Sequence, residues 1–264
     1  MAFVANAAHV VESEAIAYKR TWRGRVISTF VNPVLFMAGM GILLGRMVDR
    51  GAGDASLPIP YLTFAATGLL AATAMQTGYG EGAWPVMAGI KWRKTFDAML
   101  VTPLRVADLV TGRLVWGAFH LAFTLGVYAA AAVAFGAVEP LPALVALGPA
   151  ILCGLSFQAA STAFTAKVEN ETGLTSVMRF GIMPLFLFSG TFFPISQLPD
   201  WMEPLALATP LYHGVELVRK LALPEVGPPV VSTIPWWVHL AYLVTLTVAG
   251  WILAVRFLRT RLEP

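Results

Sequence analysis

Long apolar runs separated by short polar punctuation dominate the pattern of this chain. Six runs near 20 residues recur, at Val26–Val48, Tyr61–Tyr79, Leu114–Ala137, Ala143–Thr165, Leu174–Phe193 and Trp236–Val255. Each is long enough to cross a hydrocarbon core of about 30 Å as a helix. Ahead of them, residues 9–22 place Val11, Ala15, Tyr18 and Trp22 at helical spacing, with Glu12, Lys19 and Arg20 turned elsewhere. That predicts an amphipathic helix lying in the headgroup region rather than a plain leader. The whole chain, 1–264, therefore reads as a single all-α, polytopic membrane domain.

Local signals refine the spans. Asn32-Pro33 predicts a kink near the start of the first. Gly41 and Gly45 put two small residues on one face there, fit for close packing within the subunit or between two subunits. Pro184 interrupts the fifth run. Glu139-Pro-Leu-Pro142 and Lys167-Val-Glu-Asn-Glu171 are short connections.

Two polar stretches are too long to be simple turns. The first, Lys91–Arg113, holds the largest cluster of charge. Thr102-Pro103 predicts an N-cap and first turn of a helix running into the third span. Before it, Arg93–Val101 predicts a short separate helix. Phe96, Met99 and Leu100 form its apolar face, and Arg93, Lys94 and Asp97 its charged one. An exposed apolar knob on such a helix suits a groove on another protein; a solvated basic loop is the alternative. The second stretch, Pro194–Pro235, is broken by Pro199, Pro204 and Pro210. It predicts two short helices, about 201–208 and 211–221, the latter with Leu211, Val215 and Val218 on one face and a Glu216–Lys220 pair on another. These either dip into the outer leaflet or form a surface cap.

Composition agrees with the pattern. Hydrophobic residues make up 57% and charged residues 12%, half the share of roughly 25% in soluble domains, and mean hydropathy is +0.70. The placement of cations decides the orientation. With the N-terminus inside, the cytoplasm receives Lys19, Arg20, Arg23, Arg25, Lys91, Arg93, Lys94, Arg105, Arg113, Lys167, Arg179, Arg256, Arg259 and Arg261. The outside receives Arg46, Arg50, Arg219 and Lys220. Fourteen against four is a positive-inside bias that puts both termini in the cytoplasm. The net charge of +3 follows sidedness and is no signal for nucleic acid. The single cysteine, Cys153, excludes an intrachain disulfide. The start of the chain does not read as a cleavable signal peptide. Arg outnumbers Lys, and Ala and Gly are abundant, as in chains from GC-rich bacteria.

Chemistry is sparse. His120 and His239 fall within spans without an acid nearby in sequence, and His120 reads as a packing hydrogen-bonder. Glu81 falls at the cytoplasmic end of the second span. Gly154-Leu-Ser-Phe-Gln158 lacks the second glycine of a nucleophile elbow. No metal-ligand motif and no P-loop occur, so catalytic and metal residues are not expected, and ATP is not bound through a P-loop.

The order of amphipathic helix, six spans, basic loop after span 2 and proline-broken segment after span 5 resembles the permease subunit of ABC-2 exporters. Two stretches sharpen the likeness. Lys94-Thr-Phe-Asp-Ala-Met-Leu-Val-Thr-Pro-Leu104 resembles the family's cytoplasmic coupling helix. Phe186-Leu-Phe-Ser-Gly-Thr-Phe-Phe-Pro-Ile-Ser-Gln-Leu-Pro199, followed by Pro210-Leu-Tyr-His-Gly214, resembles its signature around span 5. The likeness is greatest to the nodulation-type lipo-oligosaccharide and daunorubicin-type permeases.

The resemblance implies a pair of permease subunits, a homodimer before a heterodimer, on two separate ATPase subunits that carry ATP and Mg²⁺. It implies ATPase contact through Arg93, Lys94, Phe96, Asp97, Met99, Leu100, Thr102 and Pro103. It implies a substrate path or gate near Phe186, Phe188, Phe192, Phe193, Leu211, Val215 and Val218, in a bacterial inner membrane whose lipids surround the chain. A passive channel or scaffold, and a membrane-embedded enzyme, remain as other readings of the residues alone.

Overall fold

The computed structural model describes residues 6–19 and 58–263, with isolated positions between; the expected first span lies outside the described residues. Every regular element among the described residues is helical. Residues 6–19 form α1. Then come α2 (Tyr61–Met87), α3 (Thr95–Leu100), α4 (Val106–Ala134) and α5 (Pro140–Lys167). The remaining helices are α6 (Glu171–Val177), α7 (Met183–Phe188), α8 (Glu203–Leu207), α9 (Pro210–Ala222) and α10 (Trp236–Leu262). Among the described residues, α4, α5 and α10 are the helices both long and apolar enough to cross a membrane.

α2 sits at the centre. It packs along α5 and also meets α4 and α9. Small residues permit this. A Cβ at Gly78 would overlap the Gly154 carbonyl oxygen, and one at Gly82 would overlap the Ser161 hydroxyl. In a membrane, where helices gain little from excluding water, such close approach is the main source of helix attraction. Around it lies one apolar cluster that includes Phe64, Met75, Leu121, Leu125 and Leu243. A second, at one end of the bundle, joins Val10 of α1, Val86 of α2, Phe96 of α3, Leu109 of α4, Ala163 of α5 and Leu258 of α10.

Several element ends differ from expectation. α2 continues past Tyr79 to Met87 and then through a π-helical turn, Ala88–Trp92, because its small-residue pattern is unbroken and Pro85 is accommodated within it. α10 likewise runs on to Leu262 through its basic end. Pro140 at the first turn starts α5 earlier than the apolar run does. The fifth apolar run is helical only to Phe188, through a π-helical turn at Met178–Ile182. It stops where Gly190 takes φ +82°, so Phe192 and Phe193 lie beyond the helix. Thr102 does not cap α4. Its hydroxyl donates back to Met99 O at 2.6 Å, closing α3. α4 begins instead after Arg105, whose N–H donates to the Asp108 carboxylate at 3.0 Å. The same carboxylate accepts from Asn6 Nδ2 at 3.0 Å, which ties α1 to this helix start. Thr209-Pro210 does cap α9: Tyr212 N–H donates to Thr209 Oγ1 at 3.3 Å.

Candidate functional site

Basic side chains knit together one end of the bundle. Lys91 Nζ donates to Glu169 O and Asn170 Oδ1, both at 3.0 Å, joining the end of α2 to the α5–α6 connection. Arg261 Nη1 donates to the carbonyls of Thr165, Ala166 and Val168 at 3.2, 2.9 and 2.8 Å, satisfying the C-terminal end of α5 from the last turn of α10. The segments carrying the expected cytoplasmic cations therefore share one face.

α3 lies on that face. Lys94 starts it with φ +49°, a left-handed turn that folds the short helix back under α2. This orientation corrects one expectation. Phe96 is no exposed knob: it is 2% exposed and packs on Gly89 of the π-helical turn. Met99 and Leu100 are half-buried beside it. A lone phenylalanine on a six-residue helix gains more from the chain's own apolar cluster than from water. The outward face carries Arg93, Lys94, Asp97, Val101, Thr102 and Pro103. Val101 is 87% exposed and Trp92 is exposed too, although helical spacing alone marks neither as a contact residue. Neither shows its exposure without the π-helical turn and the left-handed Lys94 that set the register.

Beside α3 a buried charged cluster clamps α1 to the spans. Arg113 of α4 pairs with Glu14 of α1, and its Nη2 donates to Glu81 O of α2 at 3.1 Å. His120 Nδ1 lies 3.0 Å from Glu81 Oε1. Tyr18 of α1 meets the rings of Trp116 and His120 edge-on at 5.6 and 5.7 Å. Arg93 lines the same cavity of about 120 Å³ as Glu14, Tyr18 and Glu81. Gln158 Nε2 of α5 donates to Arg113 O at 2.9 Å. His120 thus has an acid after all, brought in from a distant helix. Sequence spacing carries no sign of such a pairing.

At the other end, α9 turns back into the bundle, with the short and largely exposed α8 ahead of it. A Cβ at Gly214 would overlap the sulfur of Cys153, midway along α5. Leu211, Val215 and Val218 are fully buried in the chain's own core, so they pack on spans and do not line an open path. Glu216 does not face water either. Its carboxylate accepts from Ser232 N–H at 2.7 Å, while Lys220 Nζ donates to Ser232 O at 2.6 Å, so the pair grips the loop after α9. Arg219 is buried, stacks 3.8 Å over the Phe64 ring and donates to Phe64 O at 3.2 Å. Across to α10, His213 Nδ1 and His239 Nδ1 are 2.9 Å apart, and Tyr242 stacks on His213 at 4.0 Å.

The phenylalanines split by environment. Phe186 and Phe192 pack edge-to-face at 4.9 Å. Phe188 is exposed and Phe193 half-buried, so Phe188 presents the most free aromatic surface of the four. Ser156 spends its hydroxyl on Cys153 O at 2.7 Å, within its own helix. No metal-ligating cluster occurs among the described residues.

The sequence profile of the ABC-2 type transporter family matches residues 8–223. The chain belongs to that family. Relatives extend the likeness along most of its length. Nodulation protein J of Rhizobium leguminosarum bv. trifolii is 30% identical over 247 residues, 94% of this chain and 90% of the relative. Nodulation protein J of Rhizobium meliloti (strain 1021) is 28% identical over 252 residues, 94% and 91% of the two chains. The inner membrane transport permease YadH of Escherichia coli (strain K12) is 22% identical over 217 residues, 82% of each. This ABC-2 chain is accordingly a membrane transport subunit, and α3, α8 and α9 fall inside the matched region.

Proposed function

We propose that this ABC-2 chain is the permease subunit of an ATP-driven exporter in a bacterial inner membrane, with six spans and both termini in the cytoplasm. The observation that carries the reading is the α3 junction. The short helix and the residues flanking it present Trp92, Arg93, Lys94, Asp97 and Val101 outward, while Phe96 fixes the helix's other face to the end of α2. That is the geometry of a lever. A force applied to the outward face passes through a packed aromatic to the central span and, through the Arg113 cluster, to α1.

Separate ATPase subunits, two per complex, would supply the force by binding ATP and Mg²⁺, and a second copy of the permease would complete the pore. The resemblance to the nodulation-type lipo-oligosaccharide and daunorubicin-type permeases favours a lipid-linked, lipo-oligosaccharide, glycolipid or drug-like hydrophobic cargo. Phe188, exposed at the end of α7, offers such a cargo an aromatic face. Reconstitution in vesicles with the partner ATPase tests the reading. ATP should drive net movement of a fluorescent lipo-oligosaccharide, and an ATPase unable to hydrolyse ATP should abolish it. Equal flux without ATP would make the chain a passive channel.

A further inference from the structure

The knitted end of the bundle carries a groove that the coupling junction does not use. It lies between the last turn of α5 and the last two turns of α10, has a volume of about 570 Å³, and is lined by Lys167, Arg256, Arg261, Glu169 and Phe257 among others. Three cations face one carboxylate there. Arg261 commits Nη1 to the α5 carbonyls, and its Nε and Nη2 make no hydrogen bond among the described residues. Lys167 holds its ammonium 4.0 Å above the Phe257 ring, extended along the groove. Arg256 is exposed and forms no ion pair among the described residues. Its neighbour Arg259 is already paired with Glu263 at 3.1 Å.

The surface one turn below these cations is apolar. Phe164 precedes Lys167 by three residues, Ile252 precedes Arg256 by four, and Leu253 precedes Phe257 by four, so each lies on the same helix face one turn deeper. All three are exposed. α5 and α10 are both long and apolar enough to span, so this face meets hydrocarbon while the cations sit at the water boundary.

We propose that this groove is a binding site for an anionic phospholipid, with the phosphate on Lys167, Arg256 and the free edge of Arg261. The acyl chains lie on Phe164, Ile252 and Leu253. Basic pockets between helices at a membrane's cytoplasmic side suit such headgroups. An acidic segment of a soluble partner would satisfy the cations and leave the apolar bed uncovered, which favours the lipid. The inference rests on the membrane placement of α5 and α10, not on ATP-driven export.

Native mass spectrometry of the purified permease without its ATPase tests it, in neutral detergent with equimolar phosphatidylglycerol and phosphatidylcholine. The wild type should retain phosphatidylglycerol preferentially. Lys167→Gln with Arg256→Gln removes two cations and should weaken that preference roughly ten- to thirtyfold. Lys167→Arg with Arg256→Lys should keep it, which separates lost charge from lost fold. Millimolar inorganic phosphate should not displace the lipid, because phosphate lacks the acyl chains. Equal retention of both lipids, an unchanged preference in the Gln pair, or complete displacement by phosphate would overturn the proposal. So would a Gln pair that still holds the lipid but, in a separate pull-down, no longer binds the ATPase, since the groove would then be a docking surface.

Discussion

The Phe96 ring packs against Gly89, so close that a Cβ there would meet ring carbons Cε1 and Cζ at 2.5 and 2.6 Å. α3 is therefore joined to the end of α2 by a contact with no room for a side chain. Gly89→Val should displace α3 and abolish ATP-driven transport while the rest of the bundle stays folded. Phe96→Ala should do the same by leaving a cavity, at a cost of about 3–5 kcal/mol. Transport and thermal unfolding measured on both variants decide the matter; a fully active Gly89→Val would show that the contact transmits nothing.

The outward face of α3 should behave differently. Trp92→Ala and Val101→Asp change exposed side chains, so thermal unfolding should stay within about 0.5 kcal/mol of the parent. Affinity for the ATPase should fall, with Trp92→Ala costing at least about 2 kcal/mol if the ring is an anchor. Pull-down with titrated ATPase reads this directly, and unchanged affinity in both variants would place the docking surface elsewhere.

The Glu14–Arg113 pair should hold α1 in place. A hydrogen bond between charged groups at a partly buried site contributes about 1.5–3 kcal/mol. Glu14→Gln should release α1 and speed tryptic cleavage after Lys19, and Arg113→Gln should do so more strongly because it also abandons Glu81. Cleavage rates equal to the parent would mean that the Tyr18 ring contacts suffice.

Re-entry of α9 makes the histidine pair a place to arrest motion. Cysteines replacing His213 and His239, in a Cys153→Ala background, should be bridged by a short bifunctional thiol reagent. Bridging should stop transport and leave ATPase assembly intact if α9 moves as a lid. Transport that survives complete bridging would make α8 and α9 a static cap.

Orientation has its own measurement. Asp200→Cys, ahead of α8, should react with an impermeant thiol reagent in intact cells, and Glu263→Cys should not. The reverse labelling would invert the topology.

The cap of α9 is legible in the sequence, because Thr209-Pro210 acts through its own next turn. Thr102-Pro103 carries the same letters and fails, since the Asp108 carboxylate, also held by Asn6, caps α4 three residues later. Likewise, spacing separates apolar from polar positions on α3 and α9 but not inside from outside, in a chain with two environments. Phe96 and Glu216 show the limit. Each finds a partner within the chain, Gly89 and Ser232, that no local pattern announces. The two π-helical turns rotate the downstream residues by an amount invisible to a fixed helical period. The charge cluster depends on three helices meeting, and only the basic sidedness of the ends is legible without them.

The backbone contact between Gly78 and Gly154 has a practical consequence for anyone tracking this transporter through its cycle. Two helices touching without intervening side chains leave no slack between them, so α2 and α5 are expected to move together as one frame of reference. Spectroscopic labels placed one on each should report a constant separation in every nucleotide state. A label on any other helix can then be triangulated against them, and whatever shift it reports is read on a stationary dial.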